Sequence, residues 1–139
     1  MCSSDLIAVD GEKKEQIADS CAEMFANNGV IIKNAPVLMV LTYIKGRSGY
    51  ERDGSFTTSK GDRWQMFDAG IASQSFCLAA YEQGLGSVIL GIFDDAKVAS
   101  ILEIPENQEV AALIAVGYPD EEPAAPKRKP VADLLSFIH

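Results

Sequence analysis

Residues 68–91 read DAGIASQSFCLAAYEQGLGSVILG, and their reading decides how the chain is built. The stretch holds two charged residues, Asp68 and Glu82, in a chain that is 23% charged. Most of it belongs to a helix from about residue 63 to residue 83. Phe67, Ile71, Gln74, Leu78 and Tyr81 form one stripe of that helix. Ala69, Ala72, Ser73, Phe76, Ala79 and Ala80 occupy much of the remaining surface. Asp62 stands where it can cap the start, and Gly84 ends the helix. A helix apolar nearly all round is expected to be buried nearly all round. Its small residues let neighbouring elements approach closely. The layers of one short chain are too few to cover such a helix, which points to a partner subunit.

Toward the C-terminus, SVILG (residues 87–91) reads as a short strand. Asp94 or Asp95 caps a short helix with Val98, Ile101 and Leu102 inward, and Pro105 follows its end. EVAALIAVGYP (109–119) is the last core strand. Residues 119–130 hold four of the six prolines, which predicts an extended arm. Pro130 opens a terminal helix containing Val131, Leu134, Leu135 and Ile138.

Toward the N-terminus, KGRSGYERDGSFTTSKG (45–61) is a long loop with four glycines. It is either a solvated loop or a lid in which Tyr50 or Phe56 stacks on an aromatic ligand. VLMVLTYI (37–44) is apolar on both faces and reads as an interior strand. Ile17, Cys21 and Phe25, with Ala18 and Ala22 beside them, mark an amphipathic helix that Asp10 can cap and Asn27-Asn28-Gly29 stops. LIAVD (6–10) is a strand remnant. MCSSDL (1–6) leads into nothing that follows and reads as a non-native scar. Helices and strands alternate without repeats or a linker. That predicts a single domain over residues 1–139, α/β or α+β, with a small central sheet.

Composition narrows the function. A chain of 139 residues, 47% of them hydrophobic, suits one globular core. The formal charge of −8 argues against a nucleic-acid or anionic-membrane surface, so an anionic ligand needs a local basic site. No apolar run has the length of a membrane span, and no signal peptide is visible. Cys2, Cys21 and Cys77 form no CxxC pair, and Cys21 and Cys77 read as core residues. A reducing cytoplasm is the expected setting. The only histidine is the last residue, His139, so a histidine-based catalytic arrangement is not expected. No cluster has metal-ligand spacing, so no metal is expected. GLGS (84–87) follows a helix and not a strand, so it reads as a helix stop rather than a phosphate loop. An enzyme built this way leaves the chemistry to a bound cofactor.

Two features could serve such a cofactor. Gly91, closing the ILG turn, permits close approach of a flat ligand and offers an N–H, although turn glycines are common. PKRKP (126–130) sets three consecutive cations on a proline-stiffened arm. Such a trio is either a solvated patch or a grip for a phosphate monoester.

Residues 64–137 resemble the C-terminal half of the FMN-dependent nitroreductase family. The matching elements are Asp-x-Gly-x-Ala-x-Gln (Asp68, Gly70, Ala72, Gln74), the LAA…GLGS…LG run, the VGYP strand end and the Arg-Lys-Pro arm. LIAVDGEKKEQIADS and NAPVLMVLTY resemble the preceding family elements. The resemblance implies an α+β, three-layer nitroreductase-like fold: a small central sheet flanked by helices, a long buried helix and an extended C-terminal arm. It implies an intertwined homodimer with FMN between subunits. Gly91 matches the glycine whose N–H faces flavin N5, with Ile89 and Leu90 alongside. Arg128 matches a phosphate-binding arginine, and Lys127 is its neighbour. The implied activity is NAD(P)H oxidoreduction of nitroaromatic or quinone-like acceptors, with no catalytic side chain. The family's arginine-rich opening and its Asn-x-Gln-Pro-Trp stretch are absent, so the chain reads as N-terminally truncated. A flavin-binding module without turnover, or an inactive fragment, are the alternatives.

Overall fold

The computed structural model describes residues 4–138. In chain order its elements are β1 (Ser4–Val9), α1 (Gly11–Met24), α2 (Ala26–Asn34), β2 (Val37–Ile44), α3 (Arg63–Glu82), β3 (Gly86–Leu90), α4 (Asp95–Leu102) and β4 (Gln108–Gly117). The strands form one sheet in the order β1-β2-β4-β3, antiparallel at every pairing. The VLMVLTYI run is β2, an interior strand as expected. Alternate side chains explain its double-sided apolarity. Leu38 and Val40 join Leu113 and Ala115 of β4 in the main core, under Ile17 and Cys21 of α1, Ile32 of α2 and Val98 of α4. Leu41 and Ala112 meet Ala69 of α3, with Ala72 beside them. The molecule is therefore three layers, α1/α2/α4 on one face of the sheet and α3 on the other, in the α+β class. Fully burying a residue such as Ile17, Leu38 or Leu113 contributes about 1.5–3 kcal/mol.

The first helix does not stop at Asn27-Asn28-Gly29. It ends at Met24, and the extended Phe25 (φ −152°, ψ 103°) separates it from α2, which contains all three residues. Gly29 serves packing instead. A Cβ there would lie 2.7 Å from Ala22 Cβ and 2.8 Å from the Ala18 carbonyl oxygen, so α2 crosses α1 at near contact. Lys14, buried in α1, donates from Nζ to the carbonyls of Ala35 (2.6 Å) and Lys33 (3.3 Å). It thereby satisfies acceptors that a helix end leaves unpaired. Asp10 and Asp62 occupy N-cap positions without a side-chain cap bond, whereas the Asp94 side chain accepts from Lys97 N at 3.0 Å.

The long helix is not buried all round within one chain. Gln65, Ala69, Ser73 and Ala80 are buried, while Met66, Phe67, Ile71, Leu78 and Tyr81 stand exposed. The sheet takes the small side chains because they allow the closest approach. The terminal helix reduces to a 3₁₀ turn, Val131–Asp133, with Leu134, Leu135 and Ile138 exposed. So short a segment lacks the length to hold a helix without a face to bury. Residues 119–130 carry no regular structure, as an extended arm should. Of the six opening residues, 1–3 lie outside the described part, and Ser4, Asp5 and Leu6 pair with Tyr43, Thr42 and Leu41.

Candidate cofactor site

The β3 edge strand ends at Leu90, and the chain leaves it through Gly91. Ile89 pairs with Ile114 and is half exposed; Leu90 pairs with Leu113 and is buried. Strand alternation thus turns the Leu90 side chain into the main core, leaving its backbone for the edge. Gly91 follows at once, exposed, with nothing within 4 Å of where a Cβ would sit. Among the described residues its N–H has no backbone partner. Ile92, next along, is again half exposed. The segment is therefore an apolar edge on which the Gly91 N–H is a free donor.

One residue beneath this turn escaped the sequence reading. Asn28 of α2 is buried, and its Nδ2 donates to the Ile92 carbonyl at 2.9 Å. Its sequence context resembles a helix stop, and nothing local marks a partner so far along the chain.

Lys127 and Arg128 lie exposed on the arm. Neither has an ion-pair partner among the described residues; the ion pairs engage Lys13, Lys14, Lys33 and Lys97. No hydrogen bond ties either to the Gly91 turn, so one chain does not join the two halves of the expected site. A groove of about 950 Å³ runs between the end of α3 and the start of the arm. Glu82, Asp120, Glu121 and Glu122 line it and no cation does, the wrong sign for a phosphate. Cys77 lines this groove and is half buried, whereas Cys21 lies in the core as expected.

The 45–61 loop is folded on itself. Tyr50 and Phe56 pair across it with ring centres 5.0 Å apart. Ser48 Oγ donates to Asp68 Oδ2 (2.6 Å), the Gly46 N–H to Gln65 Oε1 (2.7 Å) and Trp64 Nε1 to Thr58 Oγ1 (2.8 Å). Asp68 thereby anchors the loop to α3. Tyr50 already stacks within the loop, which weighs against a free lid.

Asp94 and Asp95 follow the Gly91 segment, and Asp94 is engaged as the α4 cap. Burial pushes the Cys21 thiol up to about 11. Burial first, then donation to Glu109 at 2.5 Å, raises Tyr43 well above the usual phenol value. Among the described residues no group of three or more His, Cys, Asp or Glu could hold a metal, and no helix is long and apolar enough to cross a membrane.

The antiparallel sheet between helical layers, with a glycine turn at its edge, defines a three-layer α+β protein. Residues 5–118 match the nitroreductase family model, and the chain belongs to that family. It is 29% identical over 129 residues to an NADPH-flavin oxidoreductase of Vibrio harveyi, covering 87% of this chain and 50% of that protein. It is 31% identical over 139 residues to an NADPH-dependent oxidoreductase of Staphylococcus haemolyticus, covering 94% and 51%. The chain thus spans about half the length of these relatives. Its fold matches a nitroreductase family protein of Streptococcus pneumoniae TIGR4 with a TM-score of 0.80 at 22% identity, over 96% of this chain and 78% of that one. An FMN-dependent nitroreductase of Clostridium difficile R20291 matches with a TM-score of 0.67 at 28% identity, over 90% and 68%.

Proposed function

We propose that the chain works as an FMN-dependent NAD(P)H oxidoreductase of nitroaromatic or quinone-like acceptors, as a homodimer. The observation that carries this reading is the free Gly91 N–H on an apolar, exposed edge. The donor set fits FMN in kind. Gly91 offers a hydrogen bond to the electron-rich N5 edge, Ile89 an apolar contact and Leu90 its backbone. Arg128 and Lys127 offer unpaired cations to the phosphate, and a guanidinium grips phosphate through two parallel bonds. Bound FMN would supply the electron transfer between reduced nicotinamide and the acceptor. The chain's own task is then to hold, orient and shield, which accords with a turn that carries no acid–base pair.

The apolar surface that a single chain leaves uncovered supports the homodimer. Phe67, Ile71, Leu78 and Tyr81 expose an apolar face of α3, and Val131, Leu134 and Leu135 do so on the arm. A second copy would cover both. It would also bring an arm's cations toward a turn that they do not meet within one chain. Free cysteines at positions 21 and 77 support a reducing, cytoplasmic setting.

The test is direct. The purified protein should be yellow after loading with FMN, and NADH or NADPH should bleach it without oxygen. A colourless protein that cannot be loaded refutes the reading. A yellow protein that neither nicotinamide bleaches favours the second reading, a flavin-binding module without turnover. That alternative draws on the chain's spanning only about half of its relatives' length.

A further inference from the structure

Gly91 poses a problem of aim. Its N–H is the donor on which the proposed site depends, yet glycine has the widest backbone freedom of any residue. A donor that wanders gives little differential stabilisation, because its value lies in being oriented beforehand. Something must hold the turn, and no side chain at position 91 can do so.

We propose that Asn28 is the positioning residue for this donor. Its side-chain amide holds the Ile92 carbonyl and so fixes the Ile92–Phe93 peptide, which closes the C-terminal end of the short span that carries the Gly91 N–H. The proposal rests on the flavin-edge reading of that turn. Asn28 lies 64 positions from Ile92 in sequence, is 6% exposed, and donates to Ile92 O at 2.9 Å. Burying an amide is costly unless it is bonded, so its polarity at this site calls for a reason. Its placement is rigid as well. The adjacent Gly29 brings α2 to near contact with Ala18 and Ala22 of α1, so α2 has no room to slide inward.

The other end of the turn is equally held. Leu90 is locked by pairing with Leu113 and by burial in the core. Beyond Ile92, Phe93 packs against the core and Asp94 caps α4. Between the paired Leu90 and the held Ile92 carbonyl lie two peptides, Leu90–Gly91 and Gly91–Ile92, and the first carries the donor. Removing the Asn28 amide frees the Ile92 carbonyl, and the direction of the Gly91 N–H broadens. The fold keeps its layers, because the strand and α4 retain their own anchors.

The experiment compares two ligands on two proteins. FMN presents N5 as an acceptor; 5-deaza-FMN carries C–H in its place and cannot accept there. Dissociation constants are measured by flavin fluorescence for wild type and Asn28→Leu. The expected result is about 3- to 10-fold weaker FMN binding in the variant, the worth of one net hydrogen bond, with 5-deaza-FMN unchanged. Equal losses for both ligands would show that Asn28 acts through folding alone and overturn the assignment. So would no loss for either. Wild type that binds neither flavin overturns the functional reading and this one with it. Wild type that binds both, followed by equal losses, overturns only the role of Asn28. If the leucine variant is unstable, Asn28→Ala, a strong helix former, carries the same comparison.

Discussion

Replacing Gly29 with alanine sets two effects against each other, and the structure decides which wins. Helix propensity alone favours the change by about 1 kcal/mol, since Gly29 lies inside α2. Space opposes it. The new Cβ would stand 2.7 Å from Ala22 Cβ and 2.8 Å from the Ala18 carbonyl oxygen. Carbon atoms in contact prefer about 3.5–4.0 Å, so α2 would have to retreat by roughly 1 Å. The Ala18 oxygen belongs to the α1 backbone and cannot rotate away. Retreat would also loosen Ile32, which is fully buried on the same helix. Overpacking costs about 1–3 kcal/mol, and a clash with backbone belongs at the upper end. The net expectation is a loss of about 2 kcal/mol. Urea unfolding should show a midpoint about 1 M lower with an unchanged slope, for a slope near 2 kcal/mol/M. A Gly29→Ala protein as stable as wild type, or more stable, would refute the packing argument. It would also weaken the case for a rigidly placed Asn28, which depends on the same contact.

Three further outcomes are expected. Arg128→Ala should weaken FMN binding about 10- to 100-fold and spare riboflavin, because Arg128 has no ion-pair partner among the described residues; equal losses in parallel titrations would assign it a structural role instead. Leu78→Glu and Ile71→Glu, on the exposed face of α3, should yield a folded monomer by light scattering, and a persistent dimer would place the interface elsewhere. Cys77 should react with a thiol reagent in the native protein and Cys21 only on unfolding. Burial raises Cys21 from the ordinary 9.0 to about 11, so its contribution to stability is complete below pH 9 and declines as pH rises toward 11. Cys21→Ala should therefore lose less stability than wild type between pH 8 and pH 10 in urea titrations.

The elements were legible where periodicity and burial coincide. β2 is apolar on both faces because helices lie above and below it, and its eight-residue run says so directly. The existence of α3 was equally plain, but not its orientation. A hydrophobic pattern reports which side chains avoid water, not which surface they avoid it against. The sheet admitted Ala69, Ser73 and Ala80, and left Phe67, Ile71 and Leu78 for something outside the chain. Glycine raised a second ambiguity. Asn27-Asn28-Gly29 has the composition of a helix stop, yet Gly29 serves contact rather than a left-handed turn, and the break falls at Phe25, which carries no turn signal. Both misreadings bear on the candidate site. Gly91, Ile89 and Arg128 are candidates because they fall where the family's motifs match the sequence. Asn28 could not be named that way, because its meaning lies in a carbonyl 64 residues away, reached only once Gly29 has brought two helices together. What binds a ligand can be local in sequence; what holds the binder still depends on packing between distant segments. In this chain the donor proposed for the flavin is a glycine, the residue least able to hold itself.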